Sequence, residues 1–288
     1  VSPELATGLS AKQRLLRTLY SNRAAYYRYI APTLQRTHLA GVVFRGYERL
    51  LAFGEAEEDW QDDGLAIPPA RLRVLVYGTA STTGFLDSGR VTAKVIADVF
   101  AEAGLELPNS GALLDFGCGC GRVLRHWTHL QDVDIYGCDY NAQLAEWTAR
   151  NLPHVSATTN ALAPPAPYQD ASFGAIYAIS VFTHLSQDLQ LAWMNDLMRL
   201  LRPGGYLLFT THGETMASSL LDTERALFDR GELVVRFDGE AGSNLCNAFH
   251  PESWVRKTWA EQFEVKVFRP GGAPGVGDQD IWAVRARK

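Results

Sequence analysis

Asp115, Gly117, Gly119 and Gly121 stand at alternate positions in the run Leu113-Leu114-Asp115-Phe116-Gly117-Cys118-Gly119-Cys120-Gly121-Arg122. Two apolar residues end a short buried strand, an acid closes it, and three glycines lead into a helix. Glycine has no Cβ and tolerates φ > 0, so such a loop lets backbone come close to a ligand. N–H groups exposed at a helix start favour anionic ligand groups. A dinucleotide fingerprint requires G-x-G-x-x-G, and the position of its third glycine holds Arg122. Eighteen positions after Gly121, Asp139 closes the run Asp134-Ile135-Tyr136-Gly137-Cys138. An acid ending a second strand can accept both ribose hydroxyls of a nucleoside. Its competing use is as a helix N-cap, but Asn141 is available for that.

A second set of reactive types follows a later strand, in Ala178-Ile179-Ser180-Val181-Phe182-Thr183-His184-Leu185. Doubly wound sheets bind ligands at this carboxyl edge. His184 is the leading candidate for a general base or an orienting group, although a histidine at a helix start serves equally well as a structural hydrogen-bonding residue. His212, in His212-Gly213-Glu214, and His250 are further pocket candidates. Each on its own is better explained as structural or pocket-lining. Cys118, Cys120, Cys138 and Cys246 make no disulfide framework, and their spacing is not that of a structural zinc site. Small reduced side chains packed beside a ligand are expected, and no metal.

Strand-like runs fall at 112–116, 134–138, 155–158, 175–180 and 206–211, with helical stretches around 121–129, 141–151 and 187–201 between most of them. Short apolar strands alternating with helices imply a parallel sheet covered on both faces. The runs 263–268 and 281–285 are joined by a Gly/Pro-rich loop with no room for a crossover helix, so they must pair antiparallel. Upstream, a helix opens at Gly89 or Arg90 and runs to Gly104. Residues 10–53 read as helical and broken at Pro32, and 54–70 as an acidic, then Pro-rich, connector.

The D-x-G-x-G-x-G pattern, Asp139 and the closing hairpin together resemble the class I S-adenosylmethionine (SAM) dependent methyltransferases. In that family the acid of the first motif meets a cationic ligand, which a pyrophosphate site would avoid. Ser172-Phe173-Gly174-Ala175-Ile176 resembles the family's approach to its fourth strand, with Gly174 in place of a frequent Asp. Leu201-Arg202-Pro203-Gly204-Gly205 resembles the turn into the fifth. The resemblance implies an α/β fold: a Rossmann-like, doubly wound, mostly parallel seven-stranded sheet ending in an antiparallel hairpin, with an N-terminal helical extension. The expected division is 1–70 for that extension and 71–288 for the methyltransferase domain. The implied cofactor set is Asp115, Gly117, Cys118, Gly119, Gly121, Asp139, Tyr140, Asn160, Ala161, Ser180 and Val181. Within it Asn160 meets the adenine amino group and Ala161 offers its N–H to the ring. The Gly/Thr/Ser-rich stretch 77–90 either closes over SAM, with Tyr77 or Phe85 near the site and Arg90 near the methionine carboxylate, or is an ordinary surface linker.

Methyl transfer from a sulfonium is an in-line displacement, so the protein has mainly to align the acceptor and exclude water. A hydroxyl acceptor also needs a base, for which His184 and His212 are the candidates. The edge lacks the Asn/Asp-Pro-Pro-aromatic motif of enzymes that methylate amino groups of bases, and lacks the acidic cluster of magnesium-dependent catechol-type enzymes. Metal-independent O-methylation of a small molecule is therefore expected, with S-adenosylhomocysteine (SAH) as the other product. The alternatives are an inactive SAM-binding module serving a protein partner, or a protein or nucleic-acid methyltransferase; a nicotinamide oxidoreductase is opposed by Arg122 and the final hairpin.

Composition is that of an ordinary globular chain: 288 residues, 47% hydrophobic, 20% charged, net charge −5. Eight Lys/Arg against two acids in residues 1–50, then six acids and no base in 51–70, suit paired solvated faces better than nucleic-acid binding. No apolar run reaches the roughly 20 residues of a membrane span, and the start lacks a secretory pattern. A cytoplasmic enzyme is expected, with the tyrosine-rich N-terminal helices as lid, pocket wall or homodimer surface.

Overall fold

Ala112–Phe116 forms β1 with all five side chains buried, as a strand covered on both faces requires. The structure, a computed structural model, describes residues 39–53, 63–259, 261–272, 275 and 277–287. The expected helices and break before residue 39, and most of the acidic connector, lie outside them. The remaining strands are β2 (Asp134–Asp139), β3 (Ser156–Thr159), β4 (Phe173–Ala178), β5 (Leu201–Thr211), β6 (Val234–Arg236), β7 (Asn247–Phe249), β8 (Phe263–Arg269) and β9 (Asp280–Ala286). Seven of these make one sheet in the order β3-β2-β1-β4-β5-β9-β8. The pairs from β3 to β5 are parallel, and β9 runs against both β5 and β8. The doubly wound sheet with its antiparallel end is thus as expected.

Alternate residues of the central strands supply two cores. Leu114, Phe116, Ile176, Leu207, Phe209, Trp282 and Val284 face one side, and are covered by Trp193, Met194 and Leu197 of α5 (Gln187–Leu200) and by Trp259. Leu113, Ala175, Tyr177, Leu208, Ile281 and Ala283 face the other. There they meet Ile96, Val99 and Phe100 of α3 (Thr82–Ala103). The other helices are α1 (Ala40–Ala52), α2 (Ala70–Tyr77), α4 (Ala142–Asn151), α6 (Glu214–Ala217), α7 (Asp222–Asp229) and α8 (Glu252–Thr258). Asn141 caps α4, its side chain accepting from Gln143 N–H at 3.1 Å.

Three local features depart from the expectations or go beyond them. First, α3 starts at Thr82, so the stretch 77–90 is mostly helix. Ser81 caps it by accepting from Gly84 N–H at 3.1 Å, and Gly78 closes α2 at φ +79. Gly89 is set by packing, because a Cβ there would lie 2.1 Å from the Arg122 carbonyl. Second, the stretch after the glycine loop makes only a 3₁₀ turn, Leu124–Trp127. Its side chains are anchored elsewhere: Arg125 forks onto both oxygens of Asp63 at 2.8 Å, and Trp127 donates to the Tyr177 hydroxyl at 3.0 Å. Third, an insertion between β5 and α8 holds α6, α7 and a small β6–β7 pair, which short three-residue strands did not betray. Gly174, the departure from the family pattern, has a packing cause: a Cβ would lie 2.1 Å from the Ser110 carbonyl.

Candidate functional site

The glycine loop leaves β1 and turns across the end of β2. Gly117, Gly119 and Gly121 have φ of +81°, +56° and +75°, conformations that L side chains rarely adopt. Added Cβ atoms would also collide, with Val181 Cγ2 at 2.4 Å, Val76 Cγ2 at 2.6 Å and Leu152 Cδ1 at 2.4 Å respectively. The N–H groups of the loop are turned inward. Those of Gly117 and Cys118 donate to the Cys138 carbonyl (2.8 and 3.0 Å), and that of Gly121 to the Cys118 carbonyl (3.1 Å). Gly119 N–H donates to Asp139 Oδ2 at 2.9 Å. The sequence expectation of N–H groups held out toward an anion is therefore corrected.

Two buried carboxyls flank the loop. Asp115 is pushed up to about 7, chiefly by burial, against the help of a hydrogen bond from the Tyr177 hydroxyl and the nearby Arg122 charge. Arg122 itself donates to Thr92 Oγ1 at 3.1 Å, tying the loop to α3. Asp139 is pushed up to about 6 by burial, offset by the N–H groups of Asn141 and Gly119. Its Oδ1 accepts from Asn141 N–H at 2.8 Å. A carboxylate has about four lone-pair sites, so Asp139 retains capacity for further donors.

A small cleft opens beside the loop, lined by Phe116, Gly117, Tyr140, Asn160, Leu162, Val181, Leu185 and Trp193. Four of the sequence-chosen residues, Gly117, Tyr140, Asn160 and Val181, meet there. Asn160 is 8% exposed. Its Nδ2 donates to the Ala161 carbonyl at 2.7 Å, while its Oδ1 is buried without a partner. A buried acceptor of that kind asks for a ligand N–H. With an apolar wall, an unpartnered amide oxygen, an acid at the end of β2 and a second acid under the glycine loop, the residues present fit an adenosyl group carrying an ammonium.

Other sequence choices fall outside the cleft lining. Cys118 is buried in the α3-side core, and burial pushes all four thiols up, so they are inert packing groups. Among the described residues no cluster suited to a metal ion occurs. Ser180, at φ +59°, accepts from Gln279 Nε2 at 2.7 Å. Arg90 is exposed and pairs with Asp87 at 3.3 Å, and Phe85 is a core residue beside Leu72 and Cys120. Trp193, Leu162 and Leu185 carried no signal, because apolar residues at helix or loop positions look the same whether they line a core or a cleft.

The histidines gather at the ends of β4 and β5. His184 Nδ1 lies 2.7 Å from the Cys246 carbonyl; a carbonyl only accepts, so Nδ1 carries the proton and Nε2 the lone pair. Burial pushes its pKa down, against that bond. The His212 ring stands edge-on to it, with centroids 6.3 Å apart. His212 is held well below the usual histidine range by burial and by the neighbouring His184 and His250, and its Nδ1 has no partner. His250, pushed down to about 3 by burial, lies within 2.9 Å of Gln190 Oε1 through Nε2 and is a core group.

Residues 89–265 match the family model described as a methyltransferase domain. Over 140 residues the chain is 27% identical to the tRNA N(3)-methylcytidine methyltransferase trm140 of Schizosaccharomyces pombe, covering 44% of this chain and 45% of that one. The chain thus spans less than half the length of that curated relative. Among solved structures, it resembles a 1,6-didemethyltoxoflavin-N1-methyltransferase from Burkholderia thailandensis, with a TM-score of 0.52, 16% identity, and coverage of 75% of this chain and 85% of that one. A SAM-dependent methyltransferase from Mesorhizobium loti gives 0.51, 14%, 67% and 99%. At such identities the likeness is one of fold. No helix among the described residues is long and apolar enough to cross a membrane.

Proposed function

Since the chain belongs to the methyltransferase-domain family, whose model spans residues 89–265, we propose that it carries the methyl group of SAM to a hydroxyl of a small-molecule acceptor, with His184 as the base. The observation that carries this reading is the His184 ring: neutral through burial, its Nδ1 proton held by the Cys246 carbonyl, its Nε2 lone pair left to take a proton. SAM supplies the activated methyl. Asn160 Oδ1 accepts from the adenine amino group beside Ala161, Asp139 holds the ribose hydroxyls, and Tyr140 and Val181 flank the adenosyl group. Asp115 meets the ammonium, and the bare Cα atoms of Gly117 and Gly119 allow the close approach. Ser180 marks the edge at which donor and acceptor sides join. His212, neutral and edge-on to His184, orients the base or the acceptor.

The relative solved with 1,6-didemethyltoxoflavin and SAH acts on a small molecule, at nitrogen, which supports the acceptor class and leaves the attacking atom to experiment. Radiolabelled methyl transfer to phenol, carboxylate, alcohol and amine panels tests it. Expected is turnover on hydroxyl acceptors, lost at least a hundredfold in His184→Gln with SAH binding retained; turnover on amines alone would refute O-methylation. The S. pombe relative's name favours a second reading, a tRNA acceptor. Labelling of bulk tRNA with no small-molecule turnover would establish it.

A further inference from the structure

The insertion after β5 carries residues 237–246 past the cleft wall at Tyr140 and Leu162, and His184 grips this segment twice. Gly242 N–H donates to the His184 carbonyl at 2.7 Å. Four residues on, the Cys246 carbonyl takes the Nδ1 proton at 2.7 Å. The segment enters through Phe237 in the left-handed region (φ +53°) and turns at Gly242 (φ +88°). Gly242 packs directly on two residues of the cleft wall. A Cβ there would lie 2.6 Å from Leu162 Cδ1 and 3.1 Å from the Tyr140 ring. On its far side Asn244 Nδ2 donates to the Leu75 carbonyl of α2 at 2.8 Å. Phe237 and Leu245 bury against Ala40 and Phe44 of α1. One short strand of chain thus touches the adenosyl end of the cleft, the N-terminal helices and the ring of the proposed base.

We propose that residues 242–246 are a positioning strap: seated on Tyr140 and Leu162, they hold His184 in the Nδ1–H tautomer and link that tautomer to occupancy of the adenosyl end of the cleft. In water a neutral imidazole favours the Nε2–H form, which could not accept a proton at Nε2. The Cys246 carbonyl reverses that preference, and it sits where it does because Gly242 can lie flat on the cleft wall. A ligand filling the cleft braces Tyr140 and Leu162 and so braces the strap. Gly242 and Cys246 act through His184; they are not catalytic residues.

The inference rests on His184 as base for its purpose, though not for its test. The full chain, labelled with ¹⁵N-histidine, is observed by NMR at pH 7 with and without SAH, and SAH affinity is measured by calorimetry. Expected for the parent is a single Nδ1–H tautomer at His184, its proton slowed in exchange by SAH. Gly242→Ala should populate the Nε2–H tautomer and weaken SAH about tenfold, near 1.4 kcal/mol. Asn244→Ala, which adds no atoms, should move both readouts in the same direction with the melting cooperative. A folded Gly242→Ala or Asn244→Ala that keeps the Nδ1–H tautomer overturns the proposal, as does a tautomer change without an affinity change. If His184→Gln turns over normally, the function reading fails while the tautomer result stands.

Discussion

Lowering the pH from 8 to 6 should weaken SAM and SAH binding about tenfold, through Asp115. Burial raises this carboxyl from 3.8 to about 7 in the free protein, so the neutral acid is favoured there. The sign follows. Stability from the neutral form is fully present below pH 3.8 and is lost as pH rises through 7, an amount on the order of 4 kcal/mol at about 1.4 kcal/mol per unit. A ligand ammonium beside the carboxylate offsets that loss, so binding draws on the ionised form and releases a proton wherever the free group is neutral. About nine in ten molecules are ionised at pH 8 and about one in ten at pH 6, which yields the tenfold change. Asp139, at about 6, adds roughly a factor of two at the lower end. Calorimetry at pH 6, 7 and 8, in two buffers of different ionisation enthalpy, reads both affinity and proton release. 5′-Methylthioadenosine, which has no ammonium, should show only the Asp139 part. In Asp115→Asn the remaining slope should match that smaller part. An affinity flat between pH 6 and 8, or an undiminished slope in Asp115→Asn, would refute the reasoning.

Two substitutions test the rest of the cleft. Asn160→Ala should weaken SAH by about tenfold through loss of one buried hydrogen bond, while S-inosylhomocysteine, which lacks the 6-amino group, should bind both proteins alike; an equal loss for both ligands would detach Asn160 from the adenine. Gly117→Ala should lower stability by roughly 1–2 kcal/mol from the left-handed backbone alone and more from the Val181 contact, seen as a drop in melting temperature and loss of SAH binding. Adding Val181→Ala should recover the contact part only, and a double variant no more stable than Gly117→Ala would disprove the collision.

Local pattern was enough wherever one segment carried its own instructions. The β1 run, apolar but for Asp115, the Asn141 cap and the hairpin too short for a crossover each needed no distant partner to be read. Misreadings came where a residue's identity answers to something far away in sequence. Gly89 looks like a helix breaker, yet it is a glycine because the Arg122 carbonyl passes beside it, so α3 seemed to begin seven residues late. Gly174 answers to Ser110 in the same way. The site was legible in its acids, glycines and Asn160, polar or special residues at loop positions. Trp193, Leu162 and Gly242 were hidden, since an apolar wall and a strap acquire their roles only from packing.

The inward-turned amides of the glycine loop bear on how such sites diverge. Four opportunities to cradle an anion, at Gly117, Cys118, Gly119 and Gly121, are spent on the Cys138 and Cys118 carbonyls and on Asp139. Replacing Arg122 by glycine would complete the letters of a dinucleotide fingerprint, yet every one of those amides would still face the protein. To hold a pyrophosphate the loop would have to be refolded and the end of β2 rebuilt with it. One mutation separates the two signatures on paper; a whole hydrogen-bond network separates them in the molecule.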